Sequence, residues 1–223
     1  MDEKGERIPL TICDYDREAG TITIVFQEVG ASTTKMGELK AGDSFRDFTG
    51  PLGCASEFVH EDLESLKNKK MLFVAGGVGA APVYPQVKWL KAHGIDADVI
   101  VGAKTKDMLI LEDQMEAVAG NYYPCTDDGS YGHAGMVTTM VEELVNNGNK
   151  YDVCVAIGPM IMMKFVCLLT KKLEIPTIVS MNPIMVDGTG MCGACRLQVG
   201  DEIKLHALTD QSSTDTLLTL IRQ

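Results

Sequence analysis

The sequence predicts an α/β fold, with a doubly wound parallel sheet in the middle, a small β-barrel lobe before it and a short cysteine-bearing lobe after it. Three observations carry this. Between residues 71 and 181, apolar runs at 71–75, 97–101, 121–125, 152–157 and 176–181 alternate with helical segments near 80–93, 109–119, 135–147 and 160–173. Parallel strands need crossover connections of about this length. The first apolar run ends in a glycine-rich turn, Gly76-Gly77-Val78-Gly79, where a buried strand passes into a helix. Ahead of residue 56 the pattern changes to short strands divided by Asp, Gly and Pro turns, as in a small barrel or sandwich. The divisions expected are residues 1–66, 67–183 and 184–223.

In the first part, strands are expected at Ile8–Ile12, Thr21–Phe26 and Ser44–Phe48, with turns at Glu18-Ala19-Gly20 and Gly50-Pro51-Leu52-Gly53. Arg7, Pro9, Leu10 and Thr11 put a cation, a rigid turn and a hydroxyl into one strand, and Gly30 to Thr34 makes a loop containing Ser32 and Thr33. These groups suit a phosphate and a ring edge, and they equally suit an ordinary strand and a polar turn. Residues 55–70, ending Lys67-Asn68-Lys69-Lys70, read as a charged connector.

The Gly76–Gly79 turn has a chemical reading. Residues without a Cβ let the backbone come close to a ligand, and a helix start offers N–H groups and a positive dipole end, which suits a pyrophosphate. The dinucleotide fingerprint G-x-G-x-x-G lacks its third glycine here, and Pro82 stands in that place. The alternative is a turn that only packs a helix on a sheet. Ligands of such sheets gather at the carboxyl ends of the strands. Two further segments share that edge: Thr126-Asp127-Asp128-Gly129-Ser130-Tyr131-Gly132 after the third strand, and Gly158-Pro159-Met160 after the fourth. Met160, Met162 and Met163 read as helix packing.

Composition narrows the function. A chain of 223 residues with 45% hydrophobic content can bury one or two cores, and two modest domains are expected from composition. A formal net charge of −11 argues against nucleic acid as a partner, because phosphate backbones are bound by clustered Lys and Arg. No apolar run approaches a membrane span and the first residues, Met1 to Pro9, are charged, so a cytoplasmic protein with no membrane partner is expected. Seven cysteines is an odd number, scattered apart from Cys192 and Cys195, which favours a reducing compartment over a disulfide framework. Cys125, Cys154 and Cys167 stand among apolar neighbours as small core side chains.

The most specific spacing comes last. Asp187-Gly-Thr-Gly-Met-Cys192-Gly-Ala-Cys195 is D-x4-C-x2-C, a variant of the C-x4-C-x2-C run of plant-type [2Fe–2S] proteins, with a carboxylate in the first ligand position. No Cys follows Cys195; the chain reads Leu205-His206-Ala207-Leu208. His206 could complete an iron site, or Asp187, Cys192, Cys195 and His206 could hold zinc, or the segment is a Gly-rich turn with two free thiols.

Taken together, these motifs make residues 1 to about 204 resemble the electron-transfer subunit of class B dihydroorotate dehydrogenase and, more closely, the small FAD- and NAD-binding subunit of NADH-dependent ferredoxin:NADP oxidoreductase. Both are ferredoxin-reductase-like. The resemblance rests on Arg-x-Pro-Leu-Thr at 7–11, Glu28-Val29-Gly30, Gly50-Pro51-Leu52-Gly53, Gly77-Val78-Gly79-Ala80-Ala81-Pro82, residues 126–132, Ala156-Ile157-Gly158-Pro159, and the run from Met181 to Arg196. It implies a flavin barrel, a nicotinamide domain and an iron–sulfur lobe. By resemblance, Arg7 would face the FAD phosphates, Pro9, Leu10 and Thr11 would lie by the isoalloxazine, and Gly30, Ser32 and Thr33 would touch the pyrophosphate. Gly77, Gly79 and Pro82 would shape the NAD(P) pocket, with Asp127, Asp128, Gly158 and Pro159 at its rim. Asp187, Cys192 and Cys195 would be ligands of a [2Fe–2S] cluster.

The activity so implied is electron transfer between NAD(P)H, FAD and the cluster, to or from a larger oxidoreductase subunit. That subunit would be glutamate synthase small-chain-like or dihydroorotate dehydrogenase-like, with ferredoxin as a further partner. The alternative is a non-catalytic nucleotide-binding or assembly subunit. The chain departs from the family in two places: the family carries further barrel residues ahead of the position of Met1, and a Cys where Ala207 stands. A labile or absent cluster in the isolated chain is therefore expected, with Ala207→Cys restoring a stable one.

Overall fold

A computed structural model describes residues 7–199, 201–205 and 212–213. In chain order the elements are β1 (Ile12–Asp16), β2 (Thr21–Ile24), α1 (Ala31–Gly37), a 3-10 turn (Glu57–His60), α2 (Leu63–Lys67), β3 (Met71–Gly76), a 3-10 turn (Gly77–Gly79), α3 (Ala80–Ala92), β4 (Ala97–Ala103), α4 (Glu112–Val118), β5 (Asn121–Thr126), β6 (His133–Ala134), α5 (Val137–Asn146), β7 (Val153–Ile157), α6 (Met160–Lys172), β8 (Thr177–Val179), β9 (Arg196–Val199), β10 (Glu202–Leu205) and β11 (Ser212–Ser213).

The central sheet runs β11-β8-β7-β3-β4-β5-β6. All its pairings are parallel except that of β11 with β8. The five strands expected between 71 and 181 are therefore present. Their spatial order starts with β3 in the centre, goes outward through β4 and β5 on one side, and returns through β7 and β8 on the other. This is the doubly wound order of a dinucleotide-binding sheet.

Alternation along the central strands explains the two layers of helices. Met71, Phe73 and Ala75 of β3 share a buried cluster with Ala81, Val83, Val87 and Leu90 of α3 and Met115 of α4. Leu72 and Val74 point the other way, to Val141 and Leu144 of α5 and Met163, Val166 and Cys167 of α6. Strands covered on both faces read as continuous apolar runs, which is why β3 shows no polar alternation. At the amino end of the sheet, Asp98 is buried and satisfied. Its carboxylate accepts from Asn121 Nδ2 and Tyr151 Oη, each at 2.7 Å, and lies 3.5 Å from Lys70 Nζ.

The N-terminal part packs on α3. Cys13, Phe58 and Leu66 join the cluster on that face, Lys88 Nζ donates to Asp14 at 2.6 Å, and the Phe58 and Trp89 rings lie 5.7 Å apart. Here the local structure differs from the sequence reading in three places. The first strand begins at Ile12 rather than Ile8, and the residues from Arg7 to Thr11 have no ladder partner. Residues 44–48 form no strand; Phe45 and Phe48 are exposed and lie against each other at 6.3 Å. The segment 30–34 opens α1 rather than a loop, because Thr33 Oγ1 accepts from the N–H groups of Val29 and Gly30 at 3.1 and 3.0 Å and closes a turn there. One further shift is in α4, which starts at Glu112 because Leu111 takes a left-handed conformation with φ 58°.

Candidate functional site

The carboxyl ends of β3 and β7 meet at the point where the strand order reverses, and the helices that follow them leave on opposite faces of the sheet. A crevice opens at such a point. The glycines expected there touch one another. A Cβ on Gly79 would fall 2.3 Å from the Ile157 carbonyl oxygen and 2.9 Å from Gly158 Cα. One on Gly158 would fall 3.0 Å from the Gly76 nitrogen, and one on Gly76 would meet Met162 Sδ at 2.4 Å and Pro159 Cδ at 3.0 Å. Gly76, Gly79 and Gly158 thus let two loops lie backbone to backbone.

Gly77 is different: its φ is 53° and nothing stands within 4 Å of its Cβ position, so it supplies the turn and leaves open space beside it. α3 follows at once and runs for 13 residues, with Pro82 in its first turn, where a missing N–H costs no helical hydrogen bond.

The third loop stands across β4. Gly76 pairs with Gly102, and Gly102 with Cys125, so residues 127–132 leave the same edge of the sheet. The loop is tied to the end of β4. Asp127 N–H donates to Ala103 O at 3.0 Å, Asp128 N–H to Lys104 O at 3.2 Å, and Lys106 N–H to Ser130 Oγ at 2.9 Å. The Lys106 ammonium lies 4.5 Å from the Tyr131 ring centre. Hydrogen bonds from Ser130 hold the Asp128 carboxyl below the usual range, so it is anionic at neutral pH. Bonding to Glu112 pushes the Tyr131 phenol up. The ties through Lys106 were not visible in the sequence, where the residues they join share no motif.

In the N-terminal part, a cleft of about 310 Å³ is lined by Ile8, Val29, Gly30, Ala31, Ser32 and Thr33. Gly30, Ser32 and Thr33 share it with Ile8, which lies ahead of β1. Arg7 is exposed and paired with Asp47, a partner that no motif singles out. Pro9, Leu10 and Thr11 lead from there into β1.

The C-terminal loop is built around Asp187. Its carboxylate accepts from Thr189 N–H at 2.9 Å and Cys192 N–H at 3.0 Å, and these bonds, that from Thr189 foremost, hold its carboxyl below the usual range. Gly188, Gly190 and Gly193 have φ of 72°, 85° and 63°, so the loop turns at glycine repeatedly. Ala194 N–H donates to Cys192 Sγ at 3.5 Å; Cys192 is exposed and Cys195 is buried. Among the described residues no three His, Cys, Asp and Glu side chains stand close enough to hold one metal ion.

A [2Fe–2S] cluster takes two ligands at each iron, so it needs donor pairs rather than a triad around one ion. Carboxylate and thiolate donors, with a backbone N–H aimed at a ligand sulfur, fit that chemistry. His206 and Ala207 lie outside the described residues. Cys125, Cys154 and Cys167 are fully buried, and burial pushes their thiols up, to about 12 for Cys125 and Cys167; they are core side chains.

Sheet order, crevice and glycine loops define a chain of the ferredoxin-reductase-like class. No family model matches it. Its fold superposes with a TM-score of 0.87 and 39% identity on a chain from the structure of NADH-dependent reduced ferredoxin–NADP oxidoreductase, covering 100% of this chain and 78% of that one. It is 45% identical over 204 residues to a Thermotoga maritima homologue of the dihydroorotate dehydrogenase B (NAD(+)) electron-transfer subunit, which spans 92% of this chain and 69% of the relative. It is 35% identical over 195 residues to the Streptococcus mutans electron-transfer subunit of that enzyme, 86% of this chain and 71% of the relative. The chain belongs to the family of dihydroorotate dehydrogenase B electron-transfer subunits. Among the described residues no helix is long and apolar enough to cross a membrane.

Proposed function

We propose that this chain passes electrons between a nicotinamide dinucleotide and a larger partner oxidoreductase subunit, with residues 1–66 holding FAD, 67–183 binding NAD(P)H and 184–223 carrying a [2Fe–2S] cluster. The observation that supports it best is the contact of Gly79 and Gly158 with opposing backbone at the reversal of strand order. Glycines there leave the crevice floor free of side chains.

A bound FAD would supply conversion of the electron pair of one hydride into single electrons, and a [2Fe–2S] cluster would supply one-electron acceptance. The protein's part is placement. Gly77 and the start of α3 would bind the dinucleotide pyrophosphate through backbone N–H groups and the positive helix end. Pro82 fixes the first turn behind it. Asp127 and Asp128 would stand at the adenosine side, and Gly158 and Pro159 would bound the nicotinamide side. Arg7, Gly30, Ser32 and Thr33 would hold the FAD phosphates, with Pro9, Leu10 and Thr11 along its ring. Asp187, Cys192 and Cys195 would be the cluster ligands from the described residues.

The test is an anaerobic NADH titration of the purified chain after incubation with FAD, followed in the visible spectrum. The flavin bands should appear on the protein and bleach on addition of NADH. A chain that retains FAD yet shows neither bleaching nor saturable NADH binding would overturn the electron-transfer reading and leave an assembly role.

A further inference from the structure

The C-terminal loop has little apolar burial of its own. Ile184, Val186 and Met191 are 71%, 53% and 87% exposed. One contact stands out against that background. Gly188, at φ 72°, sits against Leu52 of the 50–53 turn: a Cβ on the glycine would lie 3.2 Å from Leu52 Cδ1 and 3.5 Å from its Cβ. The left-handed glycine thus presents a bare backbone surface, and a leucine from the N-terminal part lies on it.

Gly188 also adjoins the residue that organises the loop. The Asp187 carboxylate gathers the N–H groups of Thr189 and Cys192, and the Cys192 sulfur takes the N–H of Ala194, next to buried Cys195. The carboxylate and the Cys192 thiol therefore belong to one hydrogen-bonded turn, and Cys195 follows it directly in the chain. Holding it at Gly188 holds Asp187 and Cys192 directly and, through the chain, the start of Cys195.

We propose that Leu52 is a positioning residue for the ligand loop: by seating Gly188 it fixes residues 187–195 against the N-terminal part of the chain. Its functional meaning rests on the reading above of 187–195 as a cluster loop and of the N-terminal part as the flavin lobe, between which this contact would set the separation. The 50–53 turn then serves the junction of two redox centres as well as the chain's own turn.

The contact can be tested on the reduced chain with no nucleotide or metal added, so the outcome is independent of whether FAD, NADH or a cluster binds. The readout is iodoacetamide labelling resolved cysteine by cysteine. Leu52→Ala should raise the labelling rate of Cys195 by about tenfold, as the loop opens more often, while Cys154 and Cys167 keep their protection. Leu52→Met, which retains an apolar side chain of similar volume, should stay close to the parent. Gly188→Ala, which must hold φ near 72° and crowds Leu52, should also raise Cys195 labelling. Cys195 labelling unchanged in Leu52→Ala, Leu52→Met labelling as fast as Leu52→Ala, or equal exposure of Cys154, Cys167 and Cys195 would each overturn the proposal.

Discussion

Gly79→Ala is the sharpest probe of the crevice. The added Cβ would lie 2.3 Å from the Ile157 carbonyl oxygen and 2.8 Å from its carbon, where ordinary contact begins at 3.4 Å. Both are backbone atoms of a strand buried in the sheet, so no side chain can turn away. The start of α3 and the end of β7 must part by about 1 Å, and overpacking of this kind costs about 1–3 kcal/mol. The same displacement moves the loop meant to bind the pyrophosphate, and misplacement by about 1 Å lowers kcat/KM for NADH-driven flavin reduction by roughly 10²-fold.

Gly77→Ala is the control. It meets no atom within 4 Å but must hold φ near 53°, at a cost of about 1 kcal/mol, and it leaves β7 undisturbed. Urea unfolding gives the stabilities, amide hydrogen exchange at Ile157 and Gly158 reports the parting, and stopped-flow absorbance gives kcat/KM. Faster exchange at those amides is expected only for Gly79→Ala. Parental stability and kcat/KM in Gly79→Ala would refute the claim that the two loops meet through that glycine.

Two further outcomes follow from the charges and thiols. The end of β4, Gly102 to Lys106, carries no carboxylate to hold a ribose 2′-hydroxyl, but Asp127 and Asp128 stand on the loop tied to it and Lys106 is engaged over Tyr131. The chain should prefer NADH to NADPH, and, on the proposed placement of Asp127 at the adenosine side, Asp127→Asn should narrow the ratio of their kcat/KM values by about tenfold; a clear NADPH preference in the parent would contradict this. Stability should also fall at alkaline pH: burial raises the folded-state values of Cys125, Cys154 and Cys167 above the unfolded value of about 8.5, so their contribution is full below that pH and is lost as pH rises toward about 12. Urea midpoints between pH 7 and 11 should fall more steeply in the parent than in a variant with all three replaced by Ala, and parallel slopes would show that the thiols are not the cause.

The parts of the fold legible in the sequence are those governed by local pattern and by burial on both faces. Runs such as Met71–Ala75 had to be central strands, and the spacing between runs had to be filled by crossover helices. Where packing is thin the pattern misleads. Ile8 to Leu10 and Ser44 to Phe48 have strand composition, yet without a neighbouring strand they stay irregular; α4 loses its first turn to the left-handed Leu111. Side-chain ties across the chain, Arg7 to Asp47, Lys106 to Ser130 and Leu52 to Gly188, leave no periodicity to read.

The crevice shows where the boundary lies. The glycines at 76–79 and 158 were legible as turns, but nothing in their order in the chain says that they touch, because β4, β5 and β6 come between them in sequence. They meet only because β7 returns to the far side of β3 while the helices on that side pack on the opposite face of the sheet. The same residue type therefore answers to two different constraints. Gly77 is fixed by its own backbone angle, which a turn-forming sequence announces, whereas Gly79 and Gly158 are fixed by each other's strands, which only the reversal of strand order brings together.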